Sequence, residues 1–212
     1  MQQANTAQAK ELEKKKQNLP QAIDLEGSAG EGQEFITAKD TKLPILKILY
    51  ANSPVLNEDD GKYIEKAKQG DIYNEVTGNL WKGKEGIIVV PCLYYNTFNE
   101  WKDRGDGPGR PVKIHTDPAI MSETSRGEDN KDRLPNGNYV EDTGNHFVFI
   151  LDKDYLPQEQ ALITMKSTQK KKSKTWNSMM QTRRLKGAKG FFRPPTWATT
   201  YKLTTTKESN SQ

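Results

Sequence analysis

The residue types that most often carry out chemistry in proteins are sparse in this chain. His115 and His146 are its two histidines, and Cys92 is its single cysteine. Cys92 lies in an apolar, strand-like segment, and these three side chains do not have the spacing of a zinc site. We interpret Cys92 as a core residue rather than a nucleophile, and we predict neither a bound metal nor a cofactor.

Two groups of aspartates, Asp103 with Asp106 and Asp152 with Asp154, offer carboxylates of the kind that hold Mg²⁺ in nucleases. Aspartate is also common in turns, which is the simpler explanation for both groups. The glycine-rich run 105–109 lacks the Gly-Lys-Ser/Thr ending of a phosphate-binding loop. We predict that the protein is not an enzyme, with a metal-dependent nuclease or recombination enzyme as the alternative.

Positive charge is concentrated in one part of the chain. The sequence has 32 Lys and Arg against 28 Asp and Glu, a net charge of +4. Residues 166–207, here called the basic segment, contain 12 of the basic residues and no acid, so they carry +12. The remainder, with 20 basic and 28 acidic residues, carries −8. The basic segment also contains five aromatic residues: Trp176, Phe191, Phe192, Trp197 and Tyr201.

Cations interleaved with aromatic rings suit single-stranded nucleic acid, because cations follow the phosphates while rings stack on unpaired bases. Lysines near the start of a predicted helix oppose the helix dipole, so an external anion explains them better. Phe191 and Phe192 are adjacent, so at most one points inward and the other can stack on a base.

The predicted nucleic-acid-binding residues are Tyr95, Trp101, Lys166, Lys170, Lys171, Lys172, Lys174, Trp176, Arg183, Arg184, Lys186, Phe191, Phe192 and Arg193. A basic adaptor that binds an acidic protein partner is a further alternative.

The composition limits the size of the core and the class of protein. Hydrophobic residues make up 33% of the chain and the mean hydropathy is −0.90, against roughly 45–50% apolar residues in average domains. No apolar run approaches the roughly 20 residues of a membrane span, so we expect no membrane partner. A single cysteine favours a reducing compartment, and we expect the cytoplasm.

Composition along the chain predicts a flexible N-terminal tail over 1–34, one domain over 35–208 and a short C-terminal tail over 209–212. A polar insertion with almost no apolar pattern occupies about 103–142, where the turn-rich run 134–138 can close a hairpin. Since β-strands alternate sides, the strand predicted over 87–101 places Tyr95 and Trp101 on one face. Pro91 indicates a bulge or an edge in that strand.

The pattern of elements predicts a mainly β fold. The predicted elements are a hairpin over 71–81, the strand over 87–101, strands over 146–151 and 160–165, a helix from Ser167 or Thr168 to about Arg184, and a closing strand over 197–204. This order fits an OB-fold-like small antiparallel barrel with one helix between late strands and long loops. A generic α+β sandwich fits nearly as well.

Several short strings resemble a known group of proteins. They are 43–49, Ser53-Pro54, 61–64, 70–74, Val90-Pro91-Cys92 leading to Trp101, 165–169 leading to Trp176-Asn177, and Pro195-Thr196-Trp197 leading to Tyr201. Over about residues 40–208 they resemble bacteriophage replication-module proteins, the OB-fold single-stranded DNA-binding proteins. The resemblance implies coating and protection of single-stranded DNA in phage replication and recombination, in the host cytoplasm, with replication or recombination proteins as partners. Many such proteins end in an acidic tail, whereas residues 207–212 contain one acid.

Overall fold

A computed structural model describes residues 27–107 and 109–207. The chain divides into two units, Met1–Lys42 and Leu43–Gln212. In the first unit, residues 27–42 form successive turns, and Asp40 accepts hydrogen bonds from the backbone N and Oγ1 of Thr37 at 2.9 and 2.6 Å. Most of the tail predicted over 1–34, and all of that predicted over 209–212, lies outside the described residues.

The second unit is mainly β. Its strands are β1 (Ile45–Ile48), β2 (Ile72–Asn74), β3 (Leu80–Trp81), β4 (Ile87–Trp101), β5 (Lys113–His115), β6 (Ser125–Arg126), β7 (Asp132–Arg133), β8 (Tyr139–Leu151), β9 (Pro157–Lys166), β10 (Leu185–Gly187), β11 (Gly190–Phe192) and β12 (Tyr201–Leu203). One α-helix, α1 (Gln169–Thr182), lies between β9 and β10 in the described chain. Short 3₁₀ helices occupy Pro54–Leu56, Pro118–Glu123 and Thr196–Ala198. The position of α1 between late strands confirms the sequence prediction.

The main sheet is open and mixed. Its strand order is β12-β4-β8-β9-β1-β2-β3, with β5 on the far half of β4 and the β6–β7 hairpin on β8. The pair β1–β9 is parallel, and the other pairs are antiparallel. The hairpin predicted over 71–81 is confirmed, since β2 and β3 pair with Tyr73 opposite Leu80.

The closed antiparallel barrel expected from the sequence is wrong. Closure requires the two edge strands to pair, but within the described residues β3 and β12 end the sheet at opposite edges. The parallel β1–β9 pair places β1 between β9 and β2, so the sheet is also mixed rather than purely antiparallel. Pro44 precedes β1 and so costs the sheet no ladder hydrogen bond.

Helix α1 covers one face of the sheet, here called the inner face. The buried core between them consists of Leu46, Ile72, Ile87, Val89, Val148, Ile150, Ala161 and Trp176. The helix approaches closely at Gly144, where a Cβ atom would lie 2.6 Å from Ser173 Oγ and 3.2 Å from a ring carbon of Tyr94. Glycine at this position therefore allows α1 to pack directly on β8.

A bulge in β4 sets which residues face the helix. The pairing of β4 with β8 shifts between Pro91 and Leu93, as Pro91 predicted. Beyond the shift Tyr94 is paired with His146 on the inner face, so Tyr95 and Trp101 project from the opposite, outer face. The sequence predicted this division of the aromatic residues.

The polar insertion over 103–142 is more ordered than its composition indicated. It contains β5, β6, β7 and the start of β8, and its turn at 134–138 joins β7 to β8 as predicted. Phe98, Leu134 and Val140 form a second small buried cluster there. The buried carboxylate of Glu100 accepts hydrogen bonds from Asn138 Nδ2 at 2.6 Å and Asn136 Nδ2 at 3.1 Å. These contacts attach the insertion to β4.

Candidate nucleic-acid interface

Several cations in and beside the main sheet are paired with carboxylates. Arg133 lies 3.0 Å from Asp103 and 2.6 Å from Asp129, and Lys131 lies 2.9 Å from Asp103. The hydrogen bond from Arg133 is the main reason that the pKa of Asp129 falls to about 2. Further pairs are Lys47–Glu75, Lys82–Asp71 and Arg126–Asp132. These cations are held by the protein's own acids.

The five cations between the end of α1 and the last 3₁₀ helix differ from these paired cations. All of them are exposed, and within residues 27–107 and 109–207 none is in an ion pair: they are Arg183, Arg184, Lys186, Lys189 and Arg193. Arg184 donates to the carbonyls of Gln181 and Arg183 at 2.7 and 2.9 Å, at the end of α1. The group can therefore attract an external anion.

Strands β10 and β11 form a separate two-stranded ribbon that displays some of these cations. Gly187 pairs with Gly190 across a two-residue loop, and the φ of +111° at Gly190 requires glycine. Lys186 lies directly opposite Phe191 in the ladder. Cross-strand partners share a face, so a cation and an aromatic ring stand side by side on one face of the ribbon.

Phe191 and Phe192 occupy different environments although they are adjacent. The side chain of Phe191 is 76% exposed and shares its face with Lys186. Phe192 is 47% exposed on the other face, and a Cβ atom added at Gly187 would lie 3.2 Å from its ring. Phe192 therefore packs over the ribbon backbone, and Phe191 is the ring available to a base.

The predicted lysines of α1 divide into two kinds. Lys170 is 12% exposed, and its Nζ lies 2.6 Å from Asp142 Oδ1 and also contacts Asn96 Oδ1. This side chain therefore attaches the helix to β4 and β8. Lys171, Lys172 and Lys174 are exposed.

Trp176 belongs to the core rather than to the candidate surface. It is 5% exposed, and its ring stacks on His146 with centroids 4.4 Å apart. Its edge meets Tyr201, 5.7 Å away. Burial, with a smaller contribution from the charge of Lys170, lowers the pKa of His146 to about 4. Because both ring faces of Trp176 are inside the protein, no base can stack on it.

Other predicted residues meet on the outer face of the sheet. Tyr95 stacks on Phe147 with centroids 5.7 Å apart. The Nζ of Lys166 lies 4.9 Å from the centre of the Trp101 ring and 2.7 Å from Glu141 Oε2. The predicted binding residues therefore form two groups, one on the outer face and one on α1 and the ribbon.

A family model described as Pam3 phage gp34-like protein matches residues 13–212. The chain belongs to this family of phage proteins. The phage origin predicted from the sequence resemblance is thereby supported. No curated protein and no solved structure matches the chain.

Two of the four carboxylates considered for a nuclease, those of Asp103 and Asp152, have structural partners in this Pam3 phage gp34-like chain. Asp152 Oδ1 accepts from the backbone N of Asp154 and of Leu156 at 2.8 and 2.9 Å, so it organises the turn before β9. Asp103 is paired with Arg133 and Lys131. In the part of the chain that the structure describes, no three His, Cys, Asp or Glu side chains are grouped as metal ligands.

Two exposed residues of the basic segment, Lys189 and Trp197, are absent from the predicted set. Lys189 lies in the loop of the ribbon, and Trp197 is 64% exposed in the last 3₁₀ helix. Thr196 Oγ1 donates to the carbonyl of Cys92 at 3.3 Å, which ties that helix to the bulge of β4. The sequence predicts a strand at Trp197, whereas the structure has a 3₁₀ turn there that leaves the side chain exposed.

No helix of the described residues is long and apolar enough to cross a membrane.

Proposed function

We propose that this phage protein binds single-stranded DNA without strong sequence preference and is not an enzyme. In this proposal it coats and protects single strands during phage DNA replication or recombination in the host cytoplasm. Replication or recombination proteins are the expected protein partners.

The juxtaposition of Lys186 and Phe191 carries the proposal. The two residues are cross-strand partners on an exposed ribbon. The ribbon belongs to a segment of +12 charge without an acid, so the surrounding cations attract phosphates while Phe191 stacks on a base. Stacking tolerates any base because every base has a π face.

The ligand is expected to be single-stranded rather than duplex. Bases in a duplex are already stacked on their neighbours, so an exposed phenylalanine gains little from them unless the duplex opens. The surface does not require the closed OB barrel implied by the sequence resemblance. The short strings shared with phage single-stranded DNA-binding proteins support the same ligand.

The test is fluorescence anisotropy of labelled oligo-dT, compared with a duplex and an RNA of equal length, over a series of salt concentrations. Log affinity for oligo-dT should fall with log salt by about 0.7 for each phosphate contacted. K186A should weaken binding and reduce that slope. K153A removes an exposed lysine with the same charge in the turn before β9 and serves as the matched control.

Three outcomes would overturn the proposal. Salt-independent binding, or equal affinity for duplex and single strand, would contradict the mechanism. Cleavage of single-stranded DNA with Mg²⁺ or Mn²⁺ that is lost in D152A would favour the nuclease. Polyglutamate binding more tightly than oligo-dT at equal salt would favour an adaptor for an acidic protein partner.

A further inference from the structure

Lys166 and Trp101 lie side by side on the outer face of the sheet. Lys166 ends β9 and Trp101 ends β4, and the ammonium lies 4.9 Å from the centre of the indole ring. The side chain of Lys166 is 45% exposed, so solvent and solutes reach it. A ring for a base and a cation for its phosphate are therefore adjacent, on the sheet face opposite α1.

Lys166 already forms an ion pair with Glu141. Glu141 Oε2 lies 2.7 Å from Lys166 Nζ, and β8 carries Glu141 to the same face of the sheet. The carboxylate holds the ammonium over the indole ring and thereby covers that face of Trp101. A carboxylate and a phosphate present similar anionic oxygens to a lysine, so the two compete for it.

Comparison with the next residue, Asp142, shows how the Glu141–Lys166 ion pair differs from an ion pair that only holds the fold together. Asp142 follows Glu141 and points to the inner face, where it holds Lys170, which is 12% exposed. That second pair attaches α1, and its lysine is largely buried. Of these two pairs, only that of Glu141 involves a lysine that an external phosphate can reach.

We propose that Trp101 and Lys166 form a second nucleotide-binding position and that Glu141 is an internal competitor that keeps it closed. The inference rests on the proposed single-stranded DNA binding. A backbone phosphate displaces Glu141 from Lys166, the lysine moves with the phosphate, and the uncovered indole face receives the adjacent base. No covalent step is involved.

The test compares E141Q with D154N for oligo-dT binding by anisotropy over a salt series. Both variants remove one negative charge, but Asp154 lies in an exposed turn without a lysine partner among the described residues. E141Q should bind about two- to fivefold more tightly, as expected for release of one exposed ion pair. Its salt slope should steepen by at most about 0.7, because Glu141 keeps the position closed in only part of the wild-type complexes. D154N should match the wild type.

A double variant assigns the gain to Lys166. If Glu141 acts through Lys166, then E141Q/K166Q binds no more tightly than K166Q alone. Equal gains in E141Q and D154N, or a gain that persists without Lys166, would overturn the inference. Absence of oligo-dT binding by the wild type would instead refute the proposed function. Wild-type binding that depends on Lys186 but is unchanged by E141Q would refute only the second position.

Discussion

The Oγ atom of Ser173 lies 2.8 Å from Nε2 of His146, and neither side chain is accessible to solvent. The contact joins the first half of α1 to the middle of β8. The imidazole is enclosed by Tyr94 on one side and Trp176 on the other. Its Nδ1 is buried without a hydrogen-bond partner, and Lys170 is the nearby cation that disfavours a second positive charge. The helix is therefore docked on a histidine that must stay neutral.

Low pH should weaken the attachment of α1 to the sheet. The folded pKa of His146 is lowered to about 4 from 6.5, so unfolding takes up a proton between these values. The contribution of His146 to stability is thus complete above pH 6.5 and declines as the pH falls toward 4. By pH 4.5 the loss should be about 2–3 kcal/mol. Urea unfolding at a series of pH values from 7.5 to 4.5 measures it.

H146Q isolates that contribution from the carboxylates. The carboxylates are the same in both proteins, so the difference between wild type and H146Q reports the histidine. The difference should change by about 2–3 kcal/mol across the range. A constant difference would mean that the pKa of His146 is the same in the folded and the unfolded protein, which would contradict this prediction.

Phe191 and Phe192 should contribute unequally to DNA binding. F191A removes the exposed ring beside Lys186 and should weaken oligo-dT binding by about 1–3 kcal/mol, the usual value of one stacked base. F192A removes the ring that lies over Gly187 and should have the smaller effect on affinity. Anisotropy with an oligo-dT of roughly 20 nucleotides, longer than a typical site, compares them.

Circular dichroism of both variants is the control for folding. Neither residue is in the buried core, so the thermal transition should stay close to that of the wild type. A larger affinity loss in F192A than in F191A would contradict the assignment of the two faces of the ribbon.

Two adjacent lysines of α1 should have different functions, one in stabilising the fold and the other in binding DNA. K170M breaks the contacts with Asp142 and Asn96 and should destabilise the fold by about 1–3 kcal/mol, between the values for exposed and buried ion pairs. K171M changes an exposed side chain and should leave stability within about 0.5 kcal/mol. The free energy of unfolding in urea measures both.

Oligo-dT binding by the same two proteins completes the comparison. K171M should lower affinity and make the salt slope shallower, because it removes a cation that phosphates can reach. If K171M were the destabilised protein and K170M the weaker binder, the assignment of Lys170 as the helix attachment would be wrong.

Local patterns predicted much of the fold. Alternation and the proline in 87–101 located β4, its bulge and the two faces of its aromatic residues. The same reasoning missed the parallel contact of β1 with β9, because no local pattern encodes a pairing between segments more than 100 residues apart. It also missed the strands of the insertion, since β5, β6 and β7 contain only two or three residues each.

The sequence predicted which segment carries the candidate binding residues, but not which of their side chains are exposed or held in ion pairs. The charge asymmetry identified the basic segment, but composition does not distinguish Trp176, which is buried, from Trp197, which is exposed. Nor does it show that Lys166 and Lys170 are held by consecutive acids of β8. Those distinctions depend on tertiary contacts between elements distant in the chain.

The parallel pair β1–β9 has a consequence for the order of events during folding. Ile45 and Leu46 lie beside Leu162 and Ile163, so β1 can pair with β9 only after most of the domain has been synthesised, although β2 is available earlier. Contacts of such high sequence separation are associated with slow folding. β8 and β9 are consecutive strands joined by the short turn at 152–156, so they can pair earlier, and β4 pairs with β8 across the insertion. β1 and the β2–β3 hairpin then join the preformed edge of β9 in a late step.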